Sequence, residues 1–323
     1  MTSPLHAVAT DNGRFYTIPG YEDRPMRSVT NIVGNIYHKP HMMQATGTRA
    51  AQRAVNEERR WTAIIMECVS SYAESWAVTH KEDEPVPLSA AKKWEEEGEK
   101  GAIAWIARAM PDYAKSAAAV GSAVHFACEH YEEHVIELDG YDVAFDDWLN
   151  DRMVAFAVDI DKPEAKAINF IRQHVVQYRK ALDECGITVL DNERTVFHPV
   201  HAYAGTLDSI VEIGGYNYVM DIKTGGVYPE SVSLQLAAYR YATHSVLGSI
   251  VSAVSGGGIR LSNGAIVPIL GGCVLQLKPR SYHLHFVRCD ELAHKRFLQA
   301  LDLSEWKQNA EGLIGPHWQE GGE

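Results

Sequence analysis

Two acidic residues and a lysine lie close together in segments that favour β-strands. Asp208 ends the sequence Gly205-Thr-Leu-Asp208, and Asp221 and Lys223 are two positions apart in Asp221-Ile-Lys223. Side chains two positions apart on a strand point to the same face. Gly214-Gly215 between the two segments predicts a tight hairpin turn, which pairs positions whose numbers sum to about 429. The sequence therefore predicts two carboxylates and an ammonium group in one patch.

Two carboxylates and an ammonium group in one patch suit the binding of a divalent cation. Facing carboxylates repel each other, and a divalent cation between them relieves the repulsion. Mg²⁺ binds carboxylate oxygens, can add the backbone carbonyl of Ile222, and keeps waters that contact a substrate phosphate. Such an ion activates water for phosphodiester hydrolysis, while Lys223 would position that water or contact the phosphate. An exposed hairpin with an Asp-x-Lys pair is the simpler interpretation of these residues alone, so the neighbouring motifs decide.

Three further motifs surround the patch in chain order. They are Gly121-Ser-Ala-Val-His125, the acidic residue Glu193, and Gln235-Leu-Ala-Ala-Tyr239. Together with the two acidic strand segments, this ordered set resembles the PD-(D/E)XK nuclease superfamily, in particular its RecB-like exonuclease branch of bacteria, phages and CRISPR systems. The motifs cover roughly residues 121–280, and Ser28-Val-Thr30 resembles an early segment of some phage members.

The resemblance implies a role for each of these residues. The metal ligands would be His125, Asp208, Asp221 and the carbonyl of Ile222, and the catalytic residues would be Asp208, Asp221, Lys223, Glu193, Gln235 and Tyr239. Mg²⁺ or Mn²⁺ would be the cofactor, and Mn²⁺ accepts a histidine nitrogen more readily. Gln235 and Tyr239 are four positions apart and so share one face of a helix.

Alternatives stay open for three of these residues. His125 could be an ordinary helix residue, and Tyr239 could simply fill the core between helix and sheet. Glu193 could pair with Arg194 or Lys180 on the surface instead of supporting catalysis.

The elements that must position the motifs follow from hydrophobic periodicity and turn residues. Helices are predicted at about 43–79, 89–110 (with Ser89 as N-cap), 115–136, 163–185, 232–247 and 290–309, and strands at 187–190, 193–197, 205–213, 216–223, 259–269, 272–278 and 282–288. The fold class is therefore α/β, and the resemblance implies a PD-(D/E)XK restriction-endonuclease-like core, a central mixed sheet flanked by helices. We expect a helical N-terminal region at 1–115 that roofs the active site, the core at 116–310 and a tail at 311–323.

Composition limits the mode of binding and the cofactors. The net charge of −12 argues against a protein that binds nucleic acid through a broad basic surface. The two clusters of basic residues that could grip a substrate, at 49–60 and 278–288, are more simply solvated faces. The five cysteines form no CxxC pair, and Cys273 and Cys289, the two late ones, are far apart, so we expect no iron-sulfur cluster. No phosphate-binding loop typical of nucleotide sites is present, and no membrane span or signal peptide is predicted, which favours a cytoplasmic protein.

The sequence as a whole predicts a metal-dependent DNA exonuclease of recombination, repair or phage DNA metabolism. Its substrate would be linear or single-stranded DNA ends, and a helicase or recombinase would be a possible partner. The alternatives are a catalytically inactive nuclease-like DNA-binding or scaffold protein, and a structure-specific endonuclease. Both keep the same fold. The presence of all the expected acids and of the lysine weighs against the inactive protein, whereas the sequence does not separate the endonuclease from the exonuclease.

Overall fold

The computed structural model describes residues 6–10, 13–36, 40–79, 86–131, 164–253 and 258–310. Internal contacts divide the chain into two compact units, one formed by Met1–His38 with Ala119–Glu323 and the other by Lys39–Ala118. This division differs from the expected helical region at 1–115, because the N-terminal segment joins the larger unit. The predicted tail at 311–323 lies outside the described residues.

The N-terminal segment begins with strands rather than helices. These are β1 (Ala7–Thr10), β2 (Gly13–Tyr16) and β3 (Met26–Ser28), followed by the short helix α1 (Val29–Ile36). Strand β3 pairs in parallel with residues Tyr203 and Ala204. This pairing explains why the segment belongs to the larger unit.

The smaller unit is helical, as the sequence predicts. It contains α2 (Pro40–Asn56), α3 (Glu58–Thr79), α4 (Leu88–Ala107) and the beginning of α5 (Ala109–Glu129). The single helix predicted at 43–79 is interrupted at Glu57, which lies in a turn. Ser89 lies inside α4, whose N-cap is Pro87 without a side-chain hydrogen bond, so the prediction of Ser89 as cap is wrong.

Two arginines of the first basic cluster are engaged within this helical unit. The Nη1 atom of Arg53 donates to Asp112 Oδ2 at 2.8 Å and to the carbonyl of Trp105 at 3.0 Å. The Arg49 guanidinium lies 4.0 Å from the centre of the Tyr113 ring. These contacts hold the helices together and give both side chains a structural role.

The larger unit is built on a mixed sheet. After α6 (Glu164–Cys185) come β4 (Ile187–His198), β5 (Tyr203–Ile213), β6 (Tyr216–Lys223), α7 (Pro229–Arg240), β7 (His244–Leu247), β8 (Ile250–Ala253), β9 (Gly258–Arg260), β10 (Ile266–Pro268), β11 (Gly271–Lys278), β12 (Ser281–Val287) and α8 (Glu291–Gln308). The main sheet has the order β1-β2-β3-β5-β4-β7-β8, and β6 joins β5 to β11, which pairs with β12. The β3–β5 and β6–β11 pairs are parallel and the other pairs antiparallel, while β9 and β10 form a separate hairpin. The predicted α/β class, with a mixed central sheet flanked by helices, is confirmed.

Helices cover both faces of this sheet, and strand alternation sorts the side chains between them. Ile222 and Met220 of β6 pack in a core with helices α5 and α6, whereas Val219 packs in a second core with α1, α7 and α8. Neighbouring residues of β6 therefore face opposite helical layers. The odd-numbered residues of this strand, Asp221 among them, are directed toward α7.

The hairpin between β5 and β6 follows the predicted register. Gly214 and Gly215 have φ values of 60° and 81°, as the favoured two-residue hairpin turns require of at least one central residue. The strands pair from Ile213 with Tyr216 to Ser209 with Met220, and both pairs sum to 429. Asp208 and Asp221 are therefore the next pair beyond the last one.

One helix ends earlier than the sequence predicts. Helix α7 stops at Arg240, and His244–Leu247 forms strand β7 instead of the last turn of a helix predicted at 232–247. Ser245 and Val246 pair with Val196 and Thr195 of β4. Sheet pairing with a distant strand outweighs the local helical pattern here. None of the described helices is long and apolar enough to cross a membrane.

Candidate active site on strands β5 and β6

Asp208 lies where one edge of β5 changes partner. That edge pairs with β3 at Tyr203 and Ala204, and with β6 from Ser209 onward. In the gap between these pairings, Asp208 Oδ2 accepts a hydrogen bond of 2.7 Å from the backbone nitrogen of Ile222. The bond fixes the carboxylate of Asp208 beside Asp221.

Asp221 is buried and surrounded by donors. Lys223 Nζ lies 2.8 Å from Oδ1, to which it donates, and makes an ion-pair contact of 2.7 Å with Oδ2. Gln235 Nε2 of α7 donates to the same Oδ1 at 2.8 Å. Oδ2 is buried and has no hydrogen-bond partner. One carboxylate oxygen of Asp221 thus accepts two hydrogen bonds, whereas the other has only the ion-pair contact with Lys223.

His125 approaches Asp208 from α5. Its Nδ1 lies 3.4 Å from Asp208 Oδ2, the same oxygen that accepts the hydrogen bond from the Ile222 nitrogen. Burial by itself lowers the pKa of His125, but the neighbouring carboxylate of Asp208 outweighs burial and raises the pKa to about 9. His125 is therefore a partner of Asp208 rather than an isolated helix residue.

Glu193 faces Asp208 from the other side of β5. In the β4–β5 register it lies between the pairs Asn192–Ser209 and Arg194–Leu207, and hence opposite Asp208. Its φ of 48° is in the left-handed region, which residues other than glycine rarely adopt. Burial and the charge of Asp208 raise the pKa of Glu193 to about 8.

The two surface partners considered for Glu193 bind elsewhere. Arg194 is buried, donates from Nε to Asp191 Oδ2 at 3.0 Å, and reaches the carbonyl of Val246. Lys180 lies 3.7 Å from Glu184. The structure therefore favours the placement of Glu193 next to Asp208.

Tyr239 of α7 packs tightly against the start of the Gly205–Asp208 segment. A Cβ atom on Gly205 would lie 2.6 Å from Cε1 of Tyr239, so only glycine permits this approach. Tyr239 is 2% exposed, and its hydroxyl lies 3.4 Å from Gln235 Nε2. It is thus a core residue that also borders the site, and burial keeps its pKa well above the usual value.

These residues form one charged cluster, which we call the acid patch: Glu193, Asp208 and Asp221 with His125 and Lys223. Burial raises the pKa of Asp221, and the ammonium of Lys223 only partly opposes this. At Asp208 burial also acts to raise the pKa, but His125 and Lys223 outweigh it and the pKa is lowered. Opposite charges therefore sustain each other in the patch.

The donor set suits a divalent cation by its chemistry. Among the described residues, no three His, Cys, Asp or Glu side chains already converge as a ready-made metal site. Their oxygens instead contact the cationic and N–H groups of the protein itself. However, the buried Asp221 Oδ2 accepts no hydrogen bond and has only the ion-pair contact with Lys223, so it could also bind a metal cation. Asp208, Asp221 and the Ile222 carbonyl supply the oxygen ligands that Mg²⁺ and Mn²⁺ prefer.

Two side chains of β11 hold the segment that follows Lys223. Lys278 Nζ donates to the carbonyls of Thr224 at 3.0 Å and Gly225 at 2.9 Å, and Gln276 Nε2 donates to Gly225 at 2.6 Å. Lys278 belongs to one of the two basic clusters that could contact a substrate. Its ammonium is used inside the protein instead.

A second group of titratable residues was missed by sequence reasoning. We call it the histidine cluster: His198, His201, His244 and His294. The rings of His198 and His201 are 4.4 Å apart, and His294 stacks on Tyr241 at 5.0 Å. The sequence signal was His198-Pro-Val-His201 in a turn, but His244 and His294 are brought there only by β7 and α8.

Comparisons with known proteins add no family to this description. The chain matches no model of a protein family, and a search of curated proteins finds no match either. The residues and their geometry are therefore the only indications of a function for this chain.

Proposed function

We propose that the protein is a metal-dependent nuclease that hydrolyses DNA phosphodiester bonds, with a PD-(D/E)XK core of the RecB-like type. One observation carries the proposal. The five motifs that are far apart in the sequence have their polar groups within one site, with Asp208 bonded to β6, Asp221 bonded to Lys223 and Gln235, and His125 beside Asp208. A solvated hairpin would have no reason to gather a helix histidine and a helix glutamine around its acids.

Each residue of the site has a different role in the proposed hydrolysis. A bound Mg²⁺ or Mn²⁺ would supply charge neutralisation and an activated water, held by Asp208, Asp221, the Ile222 carbonyl and His125. Lys223 then orients the water or contacts the scissile phosphate, and Gln235 holds the carboxylate of Asp221 in place. Glu193 steers a water molecule from the neighbouring strand, and Tyr239 fixes α7 against Gly205.

The finer proposal is an exonuclease that acts on linear or single-stranded DNA ends in recombination, repair or phage DNA metabolism, with a helicase or recombinase as a possible partner. It rests on the resemblance of the motifs. The net charge of −12 supports a local contact with nucleic acid through a metal-bearing site rather than binding over a broad basic surface.

The test uses end-labelled linear DNA with Mn²⁺. We expect the wild type to release labelled nucleotides and Lys223→Ala to be at least about 100-fold slower, because a group that contacts the transition state is lost. Lys295→Ala, which removes an exposed lysine of α8, is the matched control and should keep full activity. Equal degradation by wild type and Lys223→Ala, or none by either, would disprove the proposal.

A catalytically inactive DNA-binding or scaffold protein is the second candidate. It is favoured by one observation, namely that Lys223 and His125 already compensate the carboxylates, and no ready-made group of metal ligands exists among the described residues. Calorimetric titration separates the two. Mn²⁺ should bind the wild type and not Asp208→Ala if the protein is a nuclease, and equal weak binding to both would support the scaffold.

A further inference from the structure

Strand β12 forms an edge of the main sheet. Within the described part of the chain it pairs only with β11, from Gly272–Val287 to Lys278–Ser281 without a register shift. The N–H and C=O groups of its outer edge therefore face away from the sheet. Such edges attract other strands unless lysine, proline or a bulge protects them.

None of these protective features is present in β12. Its seven residues, Ser281-Tyr-His-Leu-His-Phe-Val287, include no proline and no charged side chain other than the histidines. The lack of lysine or arginine in the strand itself argues against a nucleic acid as the partner of this edge. A polypeptide strand is the occupant that this edge fits.

The strand is also complementary to itself. In antiparallel pairing about its midpoint Leu284, Tyr282 lies opposite Phe286, His283 opposite His285, and Ser281 opposite Val287 of the second copy. Aromatic residues then meet aromatic residues, and histidine meets histidine. Aromatic cross-strand pairs stabilise such ladders.

The flanking charges are compatible with this pairing. Arg280 and Arg288 would lie opposite each other just beyond the strand ends. The Nε of Arg288 forms an ion pair of 2.5 Å with Asp290, which offsets its charge. Repulsion at the two ends is thereby reduced.

Exposed apolar side chains lie at one end of the three neighbouring strands β6, β11 and β12. Phe286 is 61% exposed, and Tyr216 and Leu270, at the adjoining ends of β6 and β11, are 59% and 51% exposed. The Phe286 ring packs on Tyr218 at 5.2 Å, which holds it in place at the surface. A strand paired with β12 would lie beside Phe286 and bury part of its apolar area in addition to forming backbone hydrogen bonds.

We propose that β12 pairs antiparallel with β12 of a second copy of the chain, which joins two sheets about a two-fold axis at Leu284. This homodimer is independent of the nuclease chemistry. A second copy is favoured over another protein because the strand paired with itself brings Tyr282 and Phe286 of the two copies together.

The test measures mass in solution and uses charge pairs. Sedimentation should show that the wild-type mass doubles from 35.9 kDa as concentration rises through the micromolar range. His283→Lys/His285→Lys and His283→Glu/His285→Glu should each weaken the dimer by at least about tenfold, because like charges then face each other. An equal mixture of the two variants should restore it. Thr188→Lys/Asn309→Lys, at exposed positions away from this edge, should behave as the wild type.

A second measurement needs no variant. Amide hydrogen exchange of the wild type should slow in β12 as concentration rises and stay unchanged in β8, which serves as the internal control. A wild type that remains monomeric throughout, or lysine variants that dimerise as well as the wild type, would overturn the proposal. A dimer whose exchange slows only outside β12 would overturn it as well.

Discussion

The acid patch and the histidine cluster both collect titratable side chains around strands β4 and β5, yet their electrostatics are opposite. In the acid patch, His125 and Lys223 contact carboxylates at 3.4 Å and 2.7–2.8 Å, so charges of opposite sign sustain each other. In the histidine cluster, burial and the neighbouring imidazoles lower the pKa of His198 and His294 to about 4. The patch thus favours the charged forms of Asp208, His125 and Lys223, whereas the cluster disfavours charge on its histidines.

The histidine cluster is organised by ring packing and by one tyrosine. Tyr203 donates its hydroxyl hydrogen to the carbonyl of Ala238 at 3.1 Å, and its oxygen lies 3.0 Å from Nε2 of His294. Since the tyrosine proton is used for Ala238, His294 is the donor in the second bond. A neutral imidazole satisfies this arrangement without an added charge.

The response to Mn²⁺ should separate the two regions most strongly. At a concentration about 100 times the dissociation constant, Mn²⁺ should raise the free energy of unfolding by about 2.7 kcal/mol in the wild type. His294→Ala should retain that gain and Asp221→Asn should lose it, as measured by denaturant unfolding with and without the ion. If His294→Ala loses the gain instead, the ion binds at the histidine cluster.

Tight packing distinguishes the acid patch as well. Gly205→Ala should lower the free energy of unfolding by about 1–3 kcal/mol, because its Cβ would meet the Tyr239 ring at 2.6 Å. Gly34→Ala is the matched control, since nothing lies within 4 Å of a Cβ there. Urea unfolding of both variants measures the difference. Equal stability of the two variants would mean that α7 moves away from Gly205 without cost.

Removing a carboxylate should relieve repulsion in the acid patch. The pKa of Glu193 is raised from 4.5 to about 8, so its ionisation destabilises the fold as pH rises through that interval. Glu193→Gln should therefore unfold at a higher denaturant concentration than the wild type at pH 8 in the absence of metal. Glu184→Gln, at an exposed position of α6, should show a smaller change. A Glu193→Gln variant less stable than the wild type at this pH would contradict the assignment.

The smallest effect is expected in the histidine cluster. The pKa of His198 is lowered from 6.5 to about 4, so the unfolded chain binds a proton in this interval and the folded protein does not. Stability is thus retained above pH 6.5 and falls as pH drops toward 4. His198→Asn should flatten this dependence in unfolding curves at several pH values, whereas Thr188→Asn, which removes no titratable group, should leave it unchanged.

Local rules predicted the centre of the site, and long-range pairing determined the rest. Strand alternation and Gly214-Gly215 were enough to place Asp208 beside Asp221 and Lys223, because hairpin geometry depends only on neighbouring residues. The position of Glu193 depends on a register shift between Val189 and Asp191 and on a left-handed φ, neither of which has a sequence signal.

The difference between local patterns and long-range pairing also explains the errors in the predicted secondary structure. The local sequence of His244–Leu247 predicts a helix, but the segment forms a strand because it pairs with β4. The N-terminal strands likewise depend on β5, which lies far along the chain. The sequence shows only that Gly205 and Tyr239 lie at fixed spacings from acidic residues, and it does not show that the two residues are in contact. The steric reason requires the packed helix.

The hydrogen bonds from Gln276 and Lys278 to the segment after Lys223 affect how this protein can change over evolution. The segment after Lys223 is held by side chains of a neighbouring strand, not by the strand that carries the acidic residues. Substitutions in β11 can therefore alter how freely that segment moves while every group of the acid patch is kept. In the proposed nuclease, turnover and substrate access would then be adjustable from a strand that contributes no residue to the acid patch.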